Sequence, residues 1–322
     1  MENENKEFNN PSENAVLNSH SSSAISTDAS SRKEKHHMGL RAKNILSNSG
    51  IYIILAAMTI IWLFPFVGIV LDSFETATPN SPHGYLWPKA WGFDNYVKLF
   101  TESGSIQFLR WFINTLIMAI VVAVLQTLIV LCMSYTLSRL RFKGRKFLMN
   151  FMLILGMFPG MLTMIILYRV LADMGLTQGN AVAGLILVYV ASSGMGYYVS
   201  KGFFDTLPKS LDEAARVDGA TNAQVLFKVI LPLSKPIVIY TLLTGFMGPW
   251  GDFVFASYIA HLEPSGYNVA VGLQVLTTRD YLSNSWGVFC AGGVIVAIPV
   301  ATLFMCLQKY YVEGVTGGAV KG

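Results

Sequence analysis

The sequence predicts an all-α polytopic membrane protein with six transmembrane helices and both termini in the cytoplasm. Three observations predict it. Hydrophobic residues make up 53% of the 322-residue chain and charged residues 13%, against about 25% charged in soluble domains. The apolar residues gather in stretches of about 20, the length at which a helix crosses a bilayer core. Backbone groups in lipid cannot bond water, so such stretches are helices. Basic residues fall in alternate loops between them, which sets the side each loop occupies.

Residues 1–46 come first, rich in Ser, Asn and Glu, with a run at Ser21–Ser23. Such a composition buries too little apolar surface to fold, so this segment reads as a disordered cytoplasmic tail. It lacks the basic start and apolar core of a cleavable signal peptide. The rest, 47–322, reads as one permease-like membrane domain.

The first span runs from about Ile51 to Leu71 and contains Pro65. The second runs from about Trp111 to Leu137. The third, Phe147 to Tyr168, carries Pro159-Gly160 at its middle. The fourth covers about Ala181 to Val199. The fifth covers about Pro236 to Tyr258 and holds one charge, Asp252. The sixth covers about Trp286 to Gln308, with Pro299 inside. Internal prolines mark kinks, because neighbouring helices satisfy the freed carbonyls.

Arg32, Lys33, Lys35, Arg41 and Lys43 precede span one. Arg139, Arg141, Lys143, Arg145 and Lys146 separate spans two and three. Lys201, Lys209, Arg216, Lys228 and Lys235 separate spans four and five. The alternate loops are poorer in basic residues, with Arg279 alone in the one after span five. The basic loops therefore share one side, the cytoplasm. The outer loops at about 72–110 and 259–285 are long, as loops that dock a partner are. Trp87 and Trp91 in the first of them suit the membrane interface.

The net charge of +4 is modest and does not suggest nucleic acid. Cys132, Cys290 and Cys306 all lie in apolar stretches and read as small buried hydrophobes. No spacing suits a metal, and no nucleophile–base motif is present. The chain contains no Gly-Lys dipeptide. A Walker A loop needs one to hold phosphate, so any ATP hydrolysis belongs to other subunits. No cofactor is expected.

The most informative stretch is 207–232. Ser210 and Glu213 have the spacing of a capping box. Asp212 and Glu213 in the first turn suit the positive end of a helix dipole. Leu211, Ala214 and Ala215 share a narrow, small face, and Gly219 suits the left-handed residue that ends a helix. Thr221 and Gln224 form a second capping box. Leu231-Pro232 is expected to end the second helix. This pattern fits a short helix pressed into a groove on another protein. It fits equally an amphipathic connector resting on lipid.

Glu213-Ala214-Ala215, Gly219 and Val229-Ile230-Leu231-Pro232 resemble the E-A-A-x3-G-x9-I-x-L-P signature of binding-protein-dependent ABC importer permeases. Val229 stands where that signature has Ile. The segments Trp91–Tyr96, Asn114-Thr115, Met157–Pro159, Trp250–Phe253 and the tail from Gln308 to Gly322 are similar to further motifs of the smaller six-span maltose/maltodextrin permeases. The resemblance covers about Ile51 to Gly322. It implies that Ser210, Asp212, Glu213, Ala214, Ala215, Gly219, Leu231 and Pro232 form the coupling segment that docks on an ATPase. It also implies a second homologous permease subunit, two ATPase subunits and an extracellular sugar-binding protein as partners, in a bacterial cytoplasmic membrane. The implied cargo is an oligosaccharide, either maltodextrin or another glycan such as a galacto-oligosaccharide.

Sugars bind through polar groups and aromatic faces. Tyr189, Tyr197, Trp250 and Asp252 on spans four and five are the candidates for the pathway, and helix packing is the competing role for each. An ion-coupled secondary transporter would place ionisable residues at the bilayer midplane and show internal repeats. Only Asp252 lies within a span, toward its outer end, and no repeat is evident. An intramembrane enzyme would need clustered catalytic groups, and none is found.

Overall fold

The computed structural model describes residues 49–77, 82–101, 106–192 and 194–319, with side chains of 194–195, 279–284 and 311–319 left aside. The expected tail at 1–46, the basic residues at 32–43 and Pro79 lie outside the described residues. Among the described residues every regular element is helical.

The chain divides between Val67 and Gly68 into two units. The described part of the first belongs to helix α1, Ser49–Ser73. Its side chains from Ile51 to Val67 are all exposed. They are almost uniformly apolar, which suits lipid and not water.

The second unit contains α2 (Asp94–Thr101), α3 (Phe108–Arg139), α4 (Arg145–Gly156), α5 (Gly160–Asp173), α6 (Ala181–Ala191) and α7 (Gly194–Asp205). After α8 (Ser210–Val217) come α9 (Asn222–Leu233) and α10 (Lys235–Gly251). The unit ends with α11 (Val254–Ala260), α12 (Val269–Val275) and α13 (Arg279–Ala319). Four helical stretches are long and apolar enough to cross a membrane: Ser49–Ser73, Phe108–Arg139, Gln178–Asp205 and Ser285–Tyr310. Two bent pairs raise the number to six if each pair is one span.

The bends revise the expected third and fifth spans. The third is not one kinked helix: α4 and α5 meet at 98°. Pro159 has no N–H to donate and Gly160 adds freedom, so the ladder stops completely. In the fifth, α10 ends at Gly251 and Asp252 sits in an extended conformation before α11. The second helix of the 207–232 segment also ends later than expected. It runs through Leu231-Pro232 to Leu233, and the 90° turn comes at Ser234. Residues Val225–Ile230 adopt a wider π turn. That widening relieves the clash a proline makes with the carbonyl one turn earlier.

α3 is the central pillar. Its buried face includes Trp111, Met118, Val122 and Val130. α10 packs against it closely at Gly245, where an added Cβ would lie 3.0 Å from the Ala123 Cα and 2.9 Å from Gln126 Oε1. The main core joins these helices to α6, α12 and α13 through Leu185, Trp250, Val269 and Ala291. A second core lies at the Arg139 end of α3. There Leu131, Tyr135, Phe204, Val225, Leu226 and Ile230 seat α9 against α3 and α7. The expected outer loops are also structured, holding α2 in the first and α12 in the second.

Candidate functional site

Helix α8 is held by one buried ion pair. Asp212 is 5% exposed, and its Oδ2 lies 3.2 Å from Arg139 Nε. Arg139 Nη2 also donates to the Phe204 and Leu207 carbonyls, at 2.8 and 3.0 Å. The guanidinium thus ties the end of α3 to the chain leaving α7 and to α8. Asp212 stands in the first turn as expected, and its side chain points inward to Arg139. Arg139 read in the sequence as one more basic loop residue, because a partner so distant in the chain leaves no local signal.

The expected capping box at Ser210 is absent. Lys209 is the N-cap, and no side chain caps this end. Ser210 is already helical, so its hydroxyl no longer points back at the Glu213 N–H. The far end of α8 forms as expected. Gly219 has φ +83°, and the Gly219 and Ala220 N–H groups donate to the Arg216 and Ala215 carbonyls at 3.0 and 2.9 Å. This is a Schellman cap, which needs a left-handed residue at that position. The Thr221–Gln224 box is present with both bonds made.

These fixings decide which face of α8 is free. Leu211 and Ala215 are half-buried, and Ala215 packs on the second core. Glu213 and Ala214 are exposed, and Val217 is 88% exposed. The small face therefore splits. Ala215 faces the chain's own core, and Glu213, Ala214 and Val217 project outward. Val217 belongs to this free surface, and its place there follows only from the inward turn of Asp212. Leu231 is half-buried beneath the segment and Pro232 is exposed.

A second site lies between α4, α5, α6, α7 and α11, a cleft of about 940 Å³. Its lining is mostly apolar, from residues such as Met157 and Phe158, with Tyr189, Tyr197 and Asp252 as polar contributors. Tyr189 donates its hydroxyl to Asp252 Oδ2. Asp252 Oδ1 accepts the Phe255 N–H at 3.0 Å and so caps α11. Trp250, the fourth candidate, lies elsewhere. It is 6% exposed in the main core, with ring centroids 5.4 Å from Phe112 and 5.9 Å from Phe246.

Asn268 closes the break behind Asp252. Its Nδ2 donates to the Pro249 and Asp252 carbonyls at 3.2 and 2.7 Å, and its Oδ1 accepts the Val271 N–H at 2.9 Å. The loop carrying Asn268 is pinned in turn by α3. Asn114 donates to the Ser265 and Tyr267 carbonyls at 3.0 and 2.9 Å, and Thr115 Oγ1 accepts the Val269 N–H at 2.8 Å. One hydrogen-bonded chain thus connects α3, the loop carrying Asn268, Asp252 and Tyr189.

The loop that follows α1 is built on Glu75. Its carboxylate accepts N–H bonds from Ala77, Lys89 and Ala90, at 2.8, 2.7 and 3.2 Å. Burial pushes this carboxyl up, but those N–H groups and the nearby His83 outweigh burial and hold its pKa below the ordinary value. Asn95, within the Trp91–Tyr96 motif, donates to the Ser73 and Glu75 carbonyls at 3.1 and 2.8 Å.

Residues 131–317 match the family described as binding-protein-dependent transport system inner membrane component. That is more than half of the chain. The chain belongs to this family. As such it is a permease component and not an enzyme, and it is a multi-pass protein of the cytoplasmic membrane. The galactooligosaccharides transport system permease protein GanQ of Bacillus subtilis (strain 168) is 36% identical over 272 residues, 84% of this chain and 94% of that protein. The maltodextrin transport system permease protein MdxG of the same organism is 33% identical over 287 residues, 88% of this chain and 100% of that protein. A chain of a bacterial ABC transporter that imports alginate has the same fold. Its TM-score is 0.68 at 23% identity, over 81% of this permease and 94% of that chain.

Proposed function

We propose that this permease is one of two homologous membrane subunits of an ATP-driven importer of neutral oligosaccharides, with six spans and both termini in the cytoplasm. In this reading each bent pair, α4–α5 and α9–α10, contributes one span. The basic loops then share the inner side. Two ATPase subunits bind beneath, and an extracellular sugar-binding protein delivers the cargo to the outer loops.

The observation that carries the reading is the free face of α8. Glu213, Ala214 and Val217 project from a helix whose other side is fixed by Asp212–Arg139. A helix so anchored moves as a rigid lever. When ATP closes the ATPase subunits on each other, the lever carries α3, α7 and α9 with it, because all four meet at the second core. Binding of ATP drives the change only by favouring one conformation of the assembly over the other. The cleft then passes from facing inward to facing outward.

The cleft suits a hydroxylated ligand. Tyr189 and Tyr197 offer aromatic faces and hydroxyls, and Asp252 is the one charged residue of its lining among the described residues. A lone carboxylate in a poorly solvated cleft accepts sugar hydroxyls and repels an anionic glycan. The proposed cargo is a maltodextrin, in line with MdxG. A galacto-oligosaccharide is the second reading, favoured by the 36% identity to GanQ. Uptake of a labelled panel of both glycans by the reconstituted assembly, with and without the binding protein, decides between them. Uptake of neither glycan, in an assembly that hydrolyses ATP, would remove the carbohydrate assignment.

A further inference from the structure

A second cavity, of about 500 Å³, opens beside α8 at the Arg139 end of α3. Five cationic side chains line it: Arg139, Arg141, Arg145, Lys209 and Arg216. Two carboxylates oppose them, Asp212 and Glu213. Asp212 is already paired to Arg139. Among the described residues no carboxylate lies within 4 Å of Arg141, Arg145, Lys209 or Arg216. Asp205, the nearest acid on α7, is held by Ser138 and Lys201. Arg139 Nη1 is buried and makes no hydrogen bond.

We propose that this cavity binds the phosphodiester headgroup of an anionic membrane phospholipid. The surplus of positive charge asks for an anion, and guanidinium groups match phosphate oxygens in two-point geometry. The start of α4 adds to it. Gly144 stands at the N-cap in a left-handed conformation, no side chain caps that end and no acid stands in the first turn. Uncapped N–H groups at a helix start favour a phosphate.

The surroundings point to lipid as the source of that phosphate. The cavity lies where one candidate span ends, at Arg139, and the first bent pair begins, at Arg145. Headgroups occupy that level. Phe142 and Phe147 stand beside it, 41% and 74% exposed, with Phe147 stacked on Phe151 at 6.0 Å. An exposed apolar rim next to a basic cavity accommodates an acyl chain and its charged head together. Basic pockets of this kind between membrane helices take anionic headgroups. The inference rests on the reading that spans end at Arg139 and begin at Arg145, and the cavity shares Glu213 with the face of α8 proposed to meet the ATPase.

Native mass spectrometry of the full chain purified in detergent tests it, with phosphatidylglycerol and phosphatidylcholine of matched acyl chains as probes. The expected result is retention of phosphatidylglycerol about tenfold above phosphatidylcholine, as several basic groups at one headgroup give. The paired change Arg141→Gln and Arg145→Gln should abolish most of that preference. Arg141→Lys with Arg145→Lys should restore it in part, and Lys228→Gln, outside the cavity, should leave it intact. If the paired Gln variant fails to fold, Lys209→Gln alone should still lower the preference. Equal retention of the two lipids, or a preference untouched by these variants, overturns the proposal. So does displacement of the lipid by inorganic phosphate at equal concentration, which assigns the cavity to free phosphate. Unchanged lipid retention with lost co-purification of an ATPase subunit assigns it to an acidic protein partner.

Discussion

Single side chains in this permease act mainly by joining elements. Asp212 is the clearest case. Asp212→Ala leaves Arg139 as an unpaired buried cation, a loss of about 3–5 kcal/mol in comparable sites. The expected outcome is a large drop in thermal stability in detergent, with α8 released from α3. At Asp252, replacement by Ala removes both the cap on α11 and the acceptor for Tyr189. A lost cap costs about 1 kcal/mol, and the half-buried Tyr189 loses its acceptor at the wall of the cleft. Asp252→Asn keeps an acceptor oxygen and should retain most of the stability, so thermal melting of the two variants separates the structural role from any contact with cargo. Glu75 gives a pH dependence. Its folded pKa lies below the ordinary carboxylate value. Its contribution is therefore complete above the unfolded pKa and is lost as pH falls through the folded one. Fluorescence of Trp87 and Trp91 should report loosening of the loop that follows α1 on acidification below about pH 4.5. Glu75→Gln should show a loosened loop at neutral pH and a flatter profile.

At the scale of elements, what was legible in the sequence was whatever short-range chemistry decides. The apolar stretches place the four long apolar helices, Gly219 ends α8, and Thr221 with Gln224 starts α9. Features that depend on distant partners were not legible. Ser210 has the spacing of a capping residue, yet the pull of Arg139 on Asp212 sets the register of α8 and makes Lys209 the cap. Leu231-Pro232 has the form of a helix stop, yet the π turn ahead of it lets the helix continue to Ser234. The break at Asp252 is hidden within an apolar run, because the carbonyls it frees are satisfied by Asn268 from another loop. Gly219→Val belongs to this scale. No atom lies within 4 Å of the position an added Cβ would take, so the strain is confined to the backbone at φ +83°. A β-branched residue there should cost about 1–2 kcal/mol and unwind the end of α8. In the reconstituted importer, ATP hydrolysis should persist and uptake should fall. Uptake that keeps pace with hydrolysis would remove α8 from the coupling path.

For the molecule as a whole, the two cores assign two tasks. The main core joins α3, α6, α10, α12 and α13 around the break at Asp252 and keeps one wall of the cleft in shape. The second core joins α3, α7 and α9 to α8, so a push on α8 reaches the α3 pillar directly. Of the candidates read from the sequence, the fold brings Tyr189, Tyr197 and Asp252 to one cleft. Trp250 packs in the main core and is not among the residues that line the cleft, because its indole lies against Phe112 and Phe246. The central claim is that the outward face of α8 meets the ATPase. It is tested most directly by placing a photoreactive benzophenone side chain at Ala214, Val217 or Ala215 in turn, within the assembled transporter. The account predicts strong cross-links to an ATPase subunit from Ala214 and Val217 and weak ones from the inward-facing Ala215. Cross-links from Ala214 and Val217 to lipid alone, or to the extracellular binding protein, would contradict it.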